Sequence, residues 1–328
     1  MALISKEESA LLDIDDFIFH VVHQGGAEPQ LLDATPLGGF KEFFLERVKE
    51  TLRGNRFVFL PDSATMERLR QVAHDHTAFV SVSKELAREF HTRQDKRIKP
   101  GVFIFMRLSA GARSFFSLLK YDNEQVLMYE VDQAQAILTE ITRSFTKNTK
   151  ALQKSALVEL TADNAEIVVV DKTVRTDITD FFRNFLGVKR RFTNAEMTVQ
   201  VQKAVLDTVV THAGELPVEI TSHVHERFLE IVEQRDEFDA PQFVAEYFGP
   251  HGSDAVEKSF TRILDRRGLG GEAFPFEREA ALTVETQKYR TIEGVSIQIK
   301  EQAKSTVQIT QDNDMTTVTI RTRRLLPQ

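Results

Sequence analysis

The chain contains no cysteine and no tryptophan in its 328 residues. Without Cys there is no disulfide framework, no thiolate nucleophile and no Cys-ligated zinc, which agrees with a reducing cytoplasm. An apolar run of roughly 18 residues, the length that spans a bilayer, is also missing, as is an N-terminal apolar h-region. The expectation is a soluble chain with no membrane contact. Aromatic usage is lopsided, with 25 Phe against 4 Tyr. Phe has no polar handle, so most of these rings belong in a core rather than on a stacking platform. There is no basic excess either: 42 Lys and Arg stand against 49 Asp and Glu, a formal net charge of −7. An acidic total argues against nucleic acid as a partner, but a local basic face suffices to hold phosphates.

Motifs that carry chemistry are equally sparse. No HExxH, CxxC, calcium loop or GxSxG elbow occurs. His74 and His76, like His223 and His225, are separated by one residue, which on a helix sets the rings about 200° apart. Gly268-Leu-Gly-Gly271 lacks the Gly-Lys-Ser/Thr ending of a phosphate loop and follows a helical pattern instead of preceding one. We therefore assign no catalytic residue, no metal ligand and no cofactor. A nuclease site assembled from carboxylates distant in the chain stays open, because sequence neighbours do not reveal it.

The most informative stretch lies between Thr176 and Val210. Ile178, Phe181, Phe182, Phe185 and Leu186 recur at helical spacing, and Thr176 or Asp177 is placed to cap them. Gly187 stands where a left-handed residue ends a helix. Thr193 and Glu196 form a capping box for a second helix, continued by Met197, Val201, Val205 and Val209. Between the two lie Lys189, Arg190 and Arg191, read as a turn whose cations fan toward one surface beside unpaired helix N–H groups. A purely solvated elbow is the competing reading.

The pattern around this hairpin predicts an α+β fold. Strands are expected at 17–22, 102–108, 113–121 and 125–131, the last three forming an antiparallel meander, and helices near 64–73 and 80–93. Residues 133–152 read as helical by propensity. On that helix Arg143, Lys147, Lys150 and Lys154 would share one face, a second basic candidate whose competing reading is a solubilising face. Helices continue to about 266, and alternation returns at Val295, Ile297 and Ile299, at Val307 and Ile309, and at Val318 and Ile320. The expected division is an N-terminal mixed α/β domain, 1–172, and a helical segment with C-terminal antiparallel strands, 173–328.

The run DFFRNFLG, the second helix with Lys203 and Ala204-Val205, the Gly101-VFIFMRL strand and the tail with Gly294-VSIQIK together resemble the bacterial 37-kDa nucleoid-associated protein family of the YejK/NdpA type. The resemblance rests on the order and spacing of these segments. It implies a cytoplasmic, nucleoid-located, non-enzymatic protein that binds double-stranded DNA through phosphate contacts, with little sequence preference. Chromosome organisation follows from that reading, as does a proposed type-II topoisomerase partner. The basic candidates for DNA contact are then Lys189, Arg190, Arg191, Arg143, Lys147, Lys150 and Lys154. A homodimer is expected, because two binding faces in one particle raise effective concentration. The alternatives are a protein-interaction module and a DNA- or phage-sensing component of an anti-phage defence system.

Overall fold

The computed structural model of the chain describes residues 3–22, 28–92, 99–132, 135–145, 151–161, 165–174, 176–282, 286–312 and 315–323. It divides into two compact units, one of Met1–Phe192 with Gly271–Phe274, the other of Thr193–Gly270 with Pro275–Gln328. The first unit thus extends past the expected boundary at 172, and it recruits a short piece of chain from much later.

The first unit is built on a seven-stranded sheet. In chain order its elements are α1 (Lys6–Ser9), β1 (Leu12–Val22), α2 (Lys41–Thr51), β2 (Asn55–Phe59), α3 (Ala64–His74) and α4 (Phe79–Thr92). Then follow β3 (Gly101–Ala110), β4 (Arg113–Asp122), β5 (Glu124–Asp132), β6 (Gln135–Ser144), β7 (Leu152–Leu160), β8 (Ala165–Asp171), α5 (Asp180–Leu186) and β9 (Val188–Arg190). The main sheet runs β1-β3-β4-β7-β8-β2-β9, antiparallel at every step. Side chains alternate between its faces, so each face builds its own core. One face packs Phe57, Phe103, Phe105 and Phe116 against α3, α4 and α5, through Leu69, Phe79, Leu86, Phe90, Phe182 and Phe185. The other packs Ile104, Met106 and Leu119 against Phe44, Leu45 and Val48 of α2.

Three expectations change here. The meander in the sheet is β3, β4, β7 and β8, whereas β5 leaves it to pair with β6 as a separate hairpin. Residues 135–144 are strand, not helix. Ile137, Thr139, Ile141 and Thr142 are β-branched, and their preference for an extended backbone outweighs the helical spacing of Arg143 and Lys147. The strand near the N-terminus also starts earlier than expected, at Leu12. Leu12 and Ile14 point inward while Asp13 and Asp15 are exposed, a plain two-residue period.

The second unit holds α6 (Asn194–Thr211), α7 (Val218–Thr221), α8 (Val224–Gln234), α9 (Ala240–Tyr247), α10 (Asp254–Arg266) and α11 (Arg278–Ala281). Both α6 and α10 carry side-chain caps, from Thr193 and Ser253. Phe243 stacks on Phe260 at 5.7 Å and on Tyr247 at 5.6 Å. Two antiparallel hairpins follow, Thr286–Arg290 with Ser296–Lys300 and Val307–Asp312 with Met315–Ile320. The α+β class, the helical middle and the C-terminal antiparallel strands are all present.

Candidate nucleic-acid interface

The expected basic elbow is a strand. Gly187 caps α5 with φ 65°, and its carbonyl accepts from Leu60 N–H at 2.8 Å. The chain then pairs with β2, with Arg190 opposite Phe57, Lys189 opposite Val58 and Val188 opposite Phe59. Because a strand alternates, the three cations cannot fan to one side. Arg190 goes to one face and Lys189 to the other, and Arg191 lies just past the end of the strand.

Arg190 is internal. Its guanidinium donates to Glu272 Oε2 at 2.9 Å, to the Ala273 carbonyl at 2.9 Å and to the Thr176 carbonyl at 3.1 Å. It also lies 5.4 Å from the centre of the Phe57 ring. Glu272 accepts from the Arg56 backbone N–H at 2.7 Å, and Asn55 Oδ1 accepts from Ala273 N–H at 3.0 Å. Burial pushes the Glu272 carboxyl up and pulls the Arg190 guanidinium down, although each also feels its partner. The guanidinium stays charged even so, and the pair serves to tie Gly271–Phe274 to the sheet. Both terminal nitrogens of Arg190 are thus engaged within the protein.

Lys189 and Arg191 are exposed. Arg191 is anchored by its backbone N–H, which donates to the Arg56 carbonyl at 3.2 Å, while its guanidinium lies 5.4 Å from the Phe192 ring. Arg191 also borders a shallow cleft of about 120 Å³, opened where β2 and β8 part after Phe57 and Ile167. Neither side chain makes an ion pair among the described residues. The first turn of α6 is less available than expected. Glu196 accepts from both the Thr193 N–H and its hydroxyl, so the helix places its own carboxylate at its N-terminus.

The second basic candidate does not assemble. Arg143 lies on β6, and Lys147 and Lys150 fall outside the described residues. Lys154 is in β7 and buried: its ammonium donates to Asp171 Oδ2 at 2.6 Å and to the Thr179 hydroxyl at 3.0 Å. The sheet register sets His20, Phe103, Lys120, Lys154 and Asp171 in one row across five strands. Lys120 is buried as well and donates to Asp122 Oδ1 at 2.7 Å; burial lowers its pKa.

A row of cations passed over in the sequence lies in the second unit. Lys258, Arg262 and Arg266 sit at i, i+4 and i+8 on α10, and all are exposed. Lys258 approaches Asp254 at 3.9 Å, and the two arginines have no carboxylate partner among the described residues. The four-residue spacing was visible in the sequence, but alternating acids such as Glu257 and Asp265 masked it.

No three His, Asp or Glu residues among the described ones gather as a metal site, and no helix among them is long and apolar enough to cross a membrane. Against this background, the family described as nucleoid-associated protein YejK matches residues 18–325, nearly the whole chain. The chain belongs to that family. No curated protein matches it. As a member of the YejK nucleoid-associated family, the chain carries exposed cations without carboxylate partners, among the described residues, on and just past a short edge strand of the first unit and on one helix of the second.

Proposed function

We propose that this protein is a non-enzymatic nucleoid component that binds double-stranded DNA through its phosphates, in the bacterial cytoplasm, with little dependence on base sequence. The observation that carries this reading is the pair Lys189 and Arg191. Lys189 on β9 and Arg191 just past its end are exposed and have no carboxylate partner among the described residues, in a chain whose net charge is −7. Several other arginines of the first unit are held in ion pairs, Arg68 with Glu85 and Glu89, Arg107 with Asp15 and Asp16, Arg113 with Glu8 and Glu159, Arg183 with Asp177, whereas Arg53, Arg70 and Arg88 are also exposed with no ion pair among the described residues. Unpaired cations on a rigid strand position a polyanion without reading bases. Membership of the nucleoid-associated family supports the same partner.

A homodimer belongs to this reading, since two DNA faces per particle bridge segments. A topoisomerase or other protein partner is less favoured. Of the large exposed apolar side chains among the described residues, Phe40 and Phe145 are the only phenylalanines, and Phe145 lays its ring against Phe19, Phe44 and Tyr121. The test is a titration of two unrelated duplexes at several salt concentrations. The proposal expects similar affinities and a linear fall of log affinity with log salt. Absence of binding at low salt would refute it.

A further inference from the structure

We infer that the strand Met315–Ile320 is the dimer contact, pairing antiparallel with the same strand of a second copy of this chain. The inference rests on the homodimer reading above and specifies its surface.

The hairpin Val307–Asp312/Met315–Ile320 is a two-stranded sheet, so both of its outer edges are unpaired among the described residues. In an antiparallel ladder alternate residues turn their N–H and C=O groups toward the outer edge. Two strands alone are marginal in water, and open edges invite another strand unless they are guarded by charge or proline. The other C-terminal strands are guarded. Thr286–Arg290 carries Lys288 and Arg290, Ser296–Lys300 ends on Lys300, and Val307–Asp312 ends on Asp312. Met315–Ile320 reads Met-Thr-Thr-Val-Thr-Ile and has no charge and no proline. Its Met315 and Ile320 are exposed at 72% and 55%.

The charges at the hairpin's two ends identify the occupant. Asp312 stands opposite Met315 at one end. Arg321 and Arg323, both exposed, follow Ile320 at the other. An antiparallel twofold sets each copy's basic end beside the acidic end of the second copy, so the strand is complementary to itself. A parallel pairing would stack like charge on like charge. The resulting four-stranded sheet passes the size at which a sheet with one covered face becomes stable. Val307, Ile309 and Val318 are already half-buried on one face of the hairpin, the first two beside Tyr289 and Ile299, so that face is partly covered.

The experiment is light scattering on the full chain and on two exposed-face variants, Thr317→Lys/Thr319→Lys and Thr317→Glu/Thr319→Glu. Circular dichroism confirms that each is folded. The wild type should show about twice the 37.4 kDa of one chain. Each variant alone should dissociate, with a dissociation constant raised roughly tenfold or more by like charges brought face to face. An equimolar mixture of the two should recover the dimer, which a merely damaged hairpin would not do. A wild-type monomer would overturn the homodimer reading itself. A dimer that persists in both variants, or a mixture that stays monomeric, would overturn this strand as the contact while leaving the homodimer reading standing.

Discussion

Arg190 and Glu272 form an ion pair at 2.9 Å across 82 residues of sequence, with side-chain exposures of 13% and 2%. That pair removes the middle member of the triplet Lys189-Arg190-Arg191 from the surface and uses it to hold the returning segment Gly271–Phe274.

The first prediction follows from that burial. Arg190→Ala leaves the Glu272 carboxylate buried without its ion-pair partner, keeping the Arg56 N–H and the nearby Arg56 charge, and should cost about 3–5 kcal/mol in urea denaturation. A change below about 1 kcal/mol would place the pair in solvent. Arg191→Ala, at an exposed position, should by contrast leave the midpoint nearly unchanged.

Lys154 offers a parallel test of the second basic candidate. Lys154→Met removes the ammonium that meets Asp171 and Thr179 inside the core. Asp171 keeps the Thr179 N–H at 2.9 Å and the Thr179 hydroxyl at 2.7 Å but is left without its charge partner, so stability should drop by about 3–5 kcal/mol. DNA affinity of the folded fraction should not change. Reduced affinity at undiminished stability would return Lys154 to the surface.

Phe182 tests the core beneath β9. It is 1% exposed, stacks on Phe185 at 6.2 Å and meets the edge of Phe90 at 6.4 Å. Phe182→Ala should cost about 3–5 kcal/mol. Phe181, only half-buried, should cost less, and equal costs at the two positions would contradict this packing.

His20 gives the protein a pH dependence of known sign. Its Nδ1 accepts from the Leu32 N–H at 3.1 Å, so Nε2 carries the proton and donates to Ser83 Oγ at 3.2 Å. Burial, with Lys84 and Arg88 nearby, pulls its pKa from 6.5 to about 4, while Asp33 opposes the shift. The unfolded chain therefore binds this proton first. The stabilisation is complete above pH 6.5 and is lost as pH falls toward about 4. Between about pH 7.5 and about pH 4.5 the wild type should become less stable by a larger margin than His20→Gln does. Parallel declines would show that His20 titrates normally.

Local signals explain which parts of this fold were legible. Gly187 as a left-handed cap and Thr193 with Glu196 as a capping box depend on a few consecutive residues, and both stand as expected. The apolar spacing of Phe182, Phe185 and Leu186 marked a buried face correctly. Strand β6 was hidden because residues 133–152 mix helix-favouring Ala, Leu, Gln and Glu with β-branched Ile and Thr, and the pairing with β5 decides between them. The place of β2 between β8 and β9 depends on pairings between distant segments, which no local period reports. Arg190 was misplaced for the same reason. Its burial is decided by Glu272, and adjacency to two exposed cations carries no trace of it.

The measurement closest to the central claim is fluorescence anisotropy of wild type and Lys189→Ala/Arg191→Ala on two unrelated duplexes, across a salt series. Removing one phosphate-binding cation should lower the log–log salt slope by roughly 0.9, so the double variant should flatten it by up to about 1.8 and weaken both duplexes alike. Urea denaturation should stay within about 1 kcal/mol of wild type, since neither side chain makes an ion pair among the described residues. An unchanged slope and affinity in the folded double variant would contradict the assignment of DNA contact to β9.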